Sequence, residues 1–293
     1  MPVIDTDSGL LRDSAQACLH ATEQAMIHID AEIVGLIPEL MDTLRDVGPY
    51  GYTLINEVHP DGSVKLPILT TADEIRDIYT LIRGASDLLR VEPLVEKRGS
   101  WYAFHEAIST GQIKNADLPP RETVTLALFP VSTGKGITGE LVWIVRPRSE
   151  LGAGVDPADI STDPVELRRD TLNMHAREVQ AFRDNDVDAL MDTFNDGGAS
   201  AVRDYVNDTG ALISLTGKDE HRAHYRAFFD KYTVESVDLL DRVVQETYAF
   251  AELRFTVTAR DGSGTFNFHT AEFHAPASDG RFIARIGHGT DVR

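Results

Sequence analysis

The apolar positions of this chain follow a helical period at the start of each half and a strand period over most of the remainder. Apolar residues recur every three or four positions over residues 15–45, which predicts a long amphipathic helix that Pro38 kinks or splits. Residues 165–186 repeat this spacing in the second half, and a short helix is predicted at 188–194. A further helix is predicted at 71–82, where Glu74 falls in the first turn.

Strand patterns bounded by turn residues fill much of the rest of each half. Residues 52–58 and 63–69 flank the sequence Pro60-Asp61-Gly62, which predicts a β-hairpin. The other predicted strands are 101–106, 122–130 and 139–146 in the first half, and 233–244, 247–260, 265–275 and 281–289 in the second. Helices followed by runs of strands are typical of the α+β class.

Two short motifs recur at one offset along the chain. The pattern DExRxxY occupies residues 73–79 and 219–225, and YAFxE occupies 102–106 and 248–252, both 146 residues apart. A Gly-, Pro- and Asp-rich stretch without an apolar period lies at 149–164 and is interpreted as a linker. The sequence therefore predicts a tandem duplication, with one unit at 15–148 and the other at 165–293.

Charge and composition narrow the classes of partner. The formal net charge is −19, which disfavours nucleic acid and anionic membrane surfaces as partners. Cys18 is the single cysteine, so no disulfide forms within the chain. No apolar run approaches the ~18 residues of a membrane span, and the acidic start lacks the features of a secretory signal. We therefore expect a cytoplasmic protein.

The stretch from Tyr205 to Tyr225 indicates a fold. An extended run with the acidic Asp208 leads to a Thr-Gly turn, and a helix follows with a polar-aromatic stripe on one face. With helices before it and strands after it, residues 165–292 resemble the NTF2-like superfamily, which includes ketosteroid isomerases and SnoaL-type polyketide cyclases. The stripe consists of His221, Tyr225, Phe228, Phe229 and Tyr232.

The resemblance implies two cone-shaped units, each a curved mixed or antiparallel sheet wrapped around helices. It also implies a cofactor-independent acid–base enzyme, of isomerase, cyclase or dehydratase type. The substrate would be an apolar oxygenated small molecule such as a polyketide, steroid or terpenoid. Because isolated units of this fold often dimerise through the sheet, the fused pair is expected to form a pseudo-dimer, and a homodimer of chains is a further expectation.

Three residues of the second unit are predicted to be catalytic. Asp208 lies where ketosteroid isomerases carry their proton-transferring aspartate, and it is the expected base. Glu235 and His269 are expected to assist it. Each has a structural alternative, since Asp208 could cap a turn, Glu235 could be a solvated surface residue and His269 could be a satisfied core or rim residue.

Two other functions stay open at this point. Asp208 and Glu235 resemble the acid pair of epoxide hydrolases and epoxide-opening cyclases of this fold. A non-catalytic binding or scaffold protein is the third alternative, because one fold serves many functions.

The predicted substrate-binding positions come from strand alternation and from the resemblance. Glu178 stands where the isomerases have a pocket tyrosine, and Ala271 stands where they have an oxyanion-hole aspartate, so the isomerase pattern is broken at both positions. The resemblance places the odd-numbered residues of 265–275 toward the pocket. The full predicted set is Glu178, Phe182, Tyr225, Phe229, Phe255, Ala271, Phe273 and His288.

No metal or cofactor motif is recognised. Neither an HxH nor an HExxH spacing occurs, and Gly134-Lys135-Gly136 lacks the other residues of a phosphate-binding loop. At the offset of 146 residues, the first unit replaces the polar candidates Asp208, Glu235, His269 and His288 by Gly62, Leu89, Thr123 and Val142. We therefore expect the first unit to be degenerate and non-catalytic.

Overall fold

The computed structural model describes residues 4–44, 51–54, 56–131, 136–207 and 209–292, and it describes side chains from residue 15 onward. The chain divides into two compact units, one of Met1–Leu54 with Leu69–Val145 and one of Ile55–Ile68 with Arg146–Arg293. The break after Val145 lies close to the predicted linker. The residues of that linker belong to the second unit, as does the hairpin segment at residues 55–68.

The helices and strands follow the predicted order, with additional strands in both units. The elements before the break are α1 (Ile4–Val34), α2 (Ile37–Met41), β1 (Gly51–Thr53), β2 (Glu57–Val58), β3 (Val64–Lys65), α3 (Ala72–Ala85), β4 (Ser86–Arg98), β5 (Tyr102–Ile113), β6 (Arg121–Pro130) and β7 (Gly139–Ile144). Those after it are α4 (Pro164–Arg183), α5 (Val187–Met191), β8 (Phe194–Arg203), β9 (Leu212–Thr216), α6 (Gly217–Lys231), β10 (Tyr232–Val244), β11 (Ala249–Ala259), β12 (Thr265–Pro276) and β13 (Phe282–Gly289).

In the first unit a five-stranded sheet in the order β1-β7-β6-β5-β4 packs against helices. Its strands are antiparallel except for the parallel pair of β1 and β7. Pro38 splits the predicted long helix, because it stands in the first turn of α2, where its missing N–H needs no acceptor. Strand β4 was not predicted, and its Pro93 is tolerated because β4 is an edge strand.

In the second unit a six-stranded sheet has the order β10-β11-β12-β13-β8-β9, with β8 parallel to β13. The four predicted strands are confirmed as β10 to β13. Strand β8 was missed because its sequence, FNDGGASAVR, carries turn residues instead of strand formers. The predicted hairpin is confirmed in a shorter form, with β2 pairing β3 and Gly62 at a φ of 77° in its turn.

The two units repeat the same local structures. The helix pair of each unit is joined at a residue with positive φ, Gly35 in the first unit and Asn185 in the second. Both pairs end in the sequence Leu-Met-Asp-Thr, where the threonine hydroxyl of Thr43 or Thr193 donates to the leucine carbonyl three residues earlier. The DExRxxY motifs lie on α3 and α6, and each of these helices leads into a strand of 13 residues.

The predicted fold class is confirmed by this architecture. Each unit is a mixed sheet packed against helices, and the chain is an α+β protein. Among the described residues, no helix is both long and apolar enough to cross a membrane.

Candidate functional site

Of the three predicted catalytic residues of the second unit, the two that the structure describes, Glu235 and His269, do not line its pocket. Asp208 lies outside the described residues, so its role stays a prediction. Glu235 is exposed and sits at a β-bulge between Val234 and Ser236, which interrupts the alternation on which its inward orientation was based. His269 is 35% exposed, and its Nδ1 lies 3.5 Å from Glu252 Oε1.

The side of β12 that faces the pocket was assigned wrongly. Strand pairing sets Phe268 opposite the inward-facing Phe255, and the even-numbered residues of β12 share its face. Ala271 and Phe273, like His269, therefore lie on the other face. Both faces of this strand are buried from Thr270 onward, so alternation of polarity could not distinguish them.

The second-unit pocket has a volume of about 40 Å³ and contains four of the predicted lining residues, namely Phe182, Tyr225, Phe255 and His288. Phe229 and Glu178 are buried but do not line it. Rings occupy much of the space, since Phe182 packs edge-on to Phe255 at 5.4 Å and Phe255 stacks on Phe268 at 4.9 Å. The volume is well below the ~300 Å³ at which ligand pockets usually begin.

A buried ion pair at this pocket was not predicted. Arg285 donates from Nε and Nη2 to the two carboxylate oxygens of Glu272, and from Nη1 to the hydroxyl oxygen of Tyr225. Burial alone would raise the pKa of Glu272, but the charge of Arg285 and its hydrogen bonds outweigh burial and lower it. The carboxylate and guanidinium satisfy each other, which leaves neither group free for proton transfer.

The histidines at the same pocket are neutral near pH 7. Burial lowers the pKa of His288 to about 4, with the charge of Arg203 acting in the same direction, and burial also lowers the pKa of His224. Neutral imidazoles can accept protons, but at a pKa of about 4 such a base is weak at neutral pH.

The first unit has a cavity of about 290 Å³, which is larger than the second-unit pocket described above. Apolar side chains of α1, α3 and the sheet form most of its wall, among them Ile29, Leu54, Ile82, Val91, Phe129 and Val142. Polar and charged side chains line it in addition, among them Glu32, Tyr79, Arg83, His105 and Glu140. An apolar wall with a few convergent polar groups is the usual composition of a small-molecule site.

His28, Tyr79 and Glu140 form a buried triad beside this cavity. His28 Nδ1 lies 2.5 Å from Thr43 Oγ1, and its Nε2 lies 3.2 Å from Glu140 Oε2. Tyr79 donates its hydroxyl hydrogen to the same oxygen of Glu140. Burial lowers the pKa of His28, but the hydrogen bond to Glu140 and its charge outweigh burial, so the net shift of the pKa is upward.

Glu32 is the titratable group best suited to proton transfer in this cavity. Burial, with the charge of Glu140 adding to it, raises the pKa of Glu32 to about 7. Its side chain is 18% exposed, and Oε1 lies 3.5 Å from Nη2 of Arg83. A carboxyl with a pKa near the working pH can both accept and return a proton.

Two buried nitrogen atoms of residues that line this cavity lack hydrogen-bond partners. Arg83 Nε and His105 Nδ1 have no hydrogen-bond partner among the described residues, although Arg83 is 8% exposed and His105 only 2%. Burial lowers the pKa of His105, so its imidazole is neutral. Unsatisfied buried polar atoms next to a cavity are available to a ligand.

Glu32, His28 and Glu140 were not predicted, because only the positions of the first unit that correspond to the polar candidates of the second were considered. The one sequence feature that could have indicated them is the spacing of His28 and Glu32, which are four residues apart on α1 and so lie on the same side of the helix. Glu140 is 108 residues further along the chain than Glu32, and only the fold brings it to the same place.

Comparison with known proteins finds solved structures of low similarity and leaves the activity open. No protein-family model matches the chain, and no curated protein matches it. Similar solved structures include a protein from Catenulispora acidiphila with a ketosteroid isomerase-like fold in complex with trimethylamine, at a TM-score of 0.35 and 11% identity. The match covers 40% of this chain and 85% of that one.

Two other similar structures cover the same share of the chain. A ketosteroid isomerase-like protein from Erwinia carotovora has a TM-score of 0.35 and 16% identity over 43% of this chain and 98% of that one. An LEH-like epoxide hydrolase from M. tuberculosis has a TM-score of 0.35 and 11% identity over 42% of this chain and 84% of that one. Each match covers a share of this chain about the size of one unit.

Proposed function

We propose that the chain is a cofactor-independent acid–base enzyme for an apolar, oxygen-bearing small molecule, and that Glu32 transfers the proton in the cavity of the first unit. The observation that carries this proposal is a partly buried carboxyl group in an apolar cavity of about 290 Å³ beside an unpaired N–H of Arg83. Its pKa of about 7 supports the proposal further.

The proposed reaction is proton transfer at carbon next to a carbonyl group. The Glu32 carboxylate takes a proton from the α-carbon, and the electrons of that C–H bond form the enolate. The Nε–H of Arg83 donates a hydrogen bond to the enolate oxygen, where charge develops. The protonated Glu32 then returns the proton to the same or another carbon, so the substrate is exchanged or isomerised without a change in oxidation state.

Epoxide opening is a second candidate, because Glu32 has a carboxylate neighbour. One carboxylate oxygen of Glu32 lies within 4.8 Å of one oxygen of Glu140. In this reaction the protonated Glu32 gives its proton to the epoxide oxygen as the C–O bond breaks, and the Glu140 carboxylate takes the proton of the water or substrate hydroxyl that attacks the carbon. The exposed position of Glu235 does not favour the same reaction by Asp208 and Glu235 in the second unit.

The test is an activity assay on the full chain with a panel of apolar ketones, enones and epoxides in D₂O. NMR detects deuterium at α-carbons and diols from epoxides. We expect Glu32→Gln to lower the rate by about 10²- to 10⁴-fold, the usual contribution of a general acid or base. Glu39→Gln is the matched control, because Glu39 is an exposed carboxylate on α2 and should leave the rate unchanged.

Asp208→Asn in the same assay tests the prediction made for the second unit. Loss of turnover in Asp208→Asn with full turnover in Glu32→Gln would contradict the proposal and assign the reaction to the second unit. Ligand binding that no panel member converts into product would favour the non-catalytic binding function instead.

A further inference from the structure

Three metal-ligating side chains meet in the interior of the second unit, outside the pocket described above. His175 and Glu178 are one turn apart on α4, and His274 faces them from β12. All three are at most 2% exposed, and one ligand atom from each lies within 4.8 Å of the others. The imidazole rings of His175 and His274 are 5.5 Å apart at an angle of 71°.

The polar atoms of this cluster lack hydrogen bonds. Both ring nitrogens of His175, both of His274 and Oε1 of Glu178 have no hydrogen-bond partner among the described residues. Nε2 of His274 lies 3.0 Å from Oε2 of Glu178, a contact at ion-pair distance that is not aligned as a hydrogen bond. This number of unsatisfied buried polar atoms in one place indicates that a water molecule or an ion binds among them.

A single water molecule fits this cluster less well than a cation. Each neutral imidazole can turn a lone pair toward the carboxylate, and a water molecule can donate only two hydrogen bonds to the three acceptors that then converge. A cation accepts all three lone pairs at once. Two imidazoles with one carboxylate form a ligand set that first-row transition metals bind with further positions left open.

The charges around the cluster allow a cation. Arg285 Nη1 approaches Glu178 Oε1 at 3.7 Å, but the guanidinium is already held through two nitrogens by Glu272. The carboxylates of Glu178 and Glu272 thus exceed the charge of Arg285 by one, and the charge of Arg242 acts on His175 as well. Tetrahedral zinc would hold its donor atoms about 3.4 Å apart, so small side-chain shifts close the present separations.

We propose that His175, Glu178 and His274 form a binding site for a divalent first-row transition metal, with zinc as the representative ion. The site would join α4 to β12 through direct metal bonds. Because the three side chains are almost fully buried, the metal would enter while the unit folds.

The experiment is refolding of the full chain, without a polyhistidine tag, after denaturation with a chelator. Refolding is carried out with Zn²⁺, with Co²⁺ or with neither, and loose metal is removed by desalting. We expect one metal ion per chain, a thermal midpoint raised by several degrees and a visible absorption band for Co²⁺. His274→Ala should bring the bound metal close to zero, whereas His269→Ala should retain it, because His269 lies on the same strand but on its other face.

A measurement on the unsubstituted chain covers the case in which His274→Ala does not fold. Imidazole ¹⁵N NMR should then show nitrogen shifts for two histidines on refolding with Zn²⁺. Retention of less than one-tenth of an ion per chain, or equal retention by His274→Ala and His269→Ala, would overturn the proposal. Unchanged imidazole ¹⁵N shifts in the presence of Zn²⁺ would overturn it as well.

Discussion

The two units place a buried polar triad at corresponding positions, but with opposite charges. In each unit one member comes from the first long helix, a tyrosine comes from the helix of the DExRxxY motif, and the third comes from β7 or β13. The fold thus provides a position for a polar cluster, but it does not determine which member is the acid and which is the base. The members are His28, Tyr79 and Glu140 in the first unit, and Glu178, Tyr225 and Arg285 in the second.

The units also differ in how far their interiors are filled. Cavity volumes of about 290 Å³ and about 40 Å³ follow from three exchanges along corresponding helix and strand positions. Each exchange puts a phenylalanine ring in the second unit where the first has a smaller or a charged side chain. The exchanged pairs are Glu32 with Phe182, Ser109 with Phe255 and Thr123 with Phe268. Strand pairing thus sets Thr123 at the place of Phe268, one residue before the His269 to which the offset of 146 residues assigned it. The first unit therefore has space for a ligand beside a titratable group at the place where phenylalanine rings fill the second unit.

The largest effect is expected from removing the cation of the second triad. Arg285→Met leaves Glu272 and Glu178 buried without their counter-charge, which should lower the free energy of unfolding of the second unit by about 3–5 kcal/mol. Glu140→Gln in the first unit keeps an acceptor for Tyr79 and should cost only about 1–2 kcal/mol. Denaturant unfolding with amide exchange in each unit measures the loss in free energy of unfolding for both variants. Equal losses would contradict the proposed difference between the two triads.

The substitution Phe255→Ala tests whether aromatic rings fill the pocket of the second unit. Phe255→Ala removes a ring stacked on Phe268 and should cost about 3–4 kcal/mol through lost burial and the remaining cavity. The matched change Ser109→Ala in the first unit removes one hydroxyl, which bonds Thr125, and should cost at most about 1 kcal/mol. A loss below about 1 kcal/mol in Phe255→Ala would show that the ring is not packed as described.

The stability of the first unit should fall as the pH rises through the neutral range. The pKa of Glu32 is raised to about 7, so its contribution is fully present below about pH 4.5 and is lost as the pH rises to 7, with a total of up to about 3 kcal/mol. The raised pKa of His28 acts in the same direction at higher pH, whereas the lowered pKa of His105 opposes it. Glu32→Gln should flatten the dependence.

The second unit should respond to pH in the opposite direction. Burial lowers the pKa of His221 and of His288 to about 4, so the stability that they contribute is present above about pH 6.5 and is lost as the pH falls toward 4. Amide exchange of β5 and of β11 in the full chain, followed from pH 5 to 8, separates the two responses. Parallel slopes in the two strands would contradict this account.

Sequence reasoning recovered the fold better than the site for physical reasons. Turns such as Asp261-Gly262 bound β10 to β13, and apolar periods mark α4 and α6, so local signals sufficed there. Glu272 and Arg285 were missed because both faces of their strands are buried, so alternation carries no orientation.

The triad of the first unit forms through contacts between residues far apart in the sequence, which no short sequence pattern predicts. Tyr79 is within the repeated motif, yet its partner Glu140 lies 61 residues away and His28 lies 51 residues away on the other side. Likewise, His175 and His274 of the proposed metal site have no diagnostic spacing, since 99 residues separate them.

The protonation of Glu32 tests the central claim, that the first unit contains the reactive cavity, most directly. Glutamate labelled with ¹³C at the side-chain carboxyl allows its titration to be followed by NMR, and the signal that disappears in Glu32→Gln identifies Glu32. We predict a titration midpoint near pH 7, because burial and Glu140 disfavour the ionised form. A midpoint near 4.5, that of an ordinary solvated glutamate, would contradict the claim.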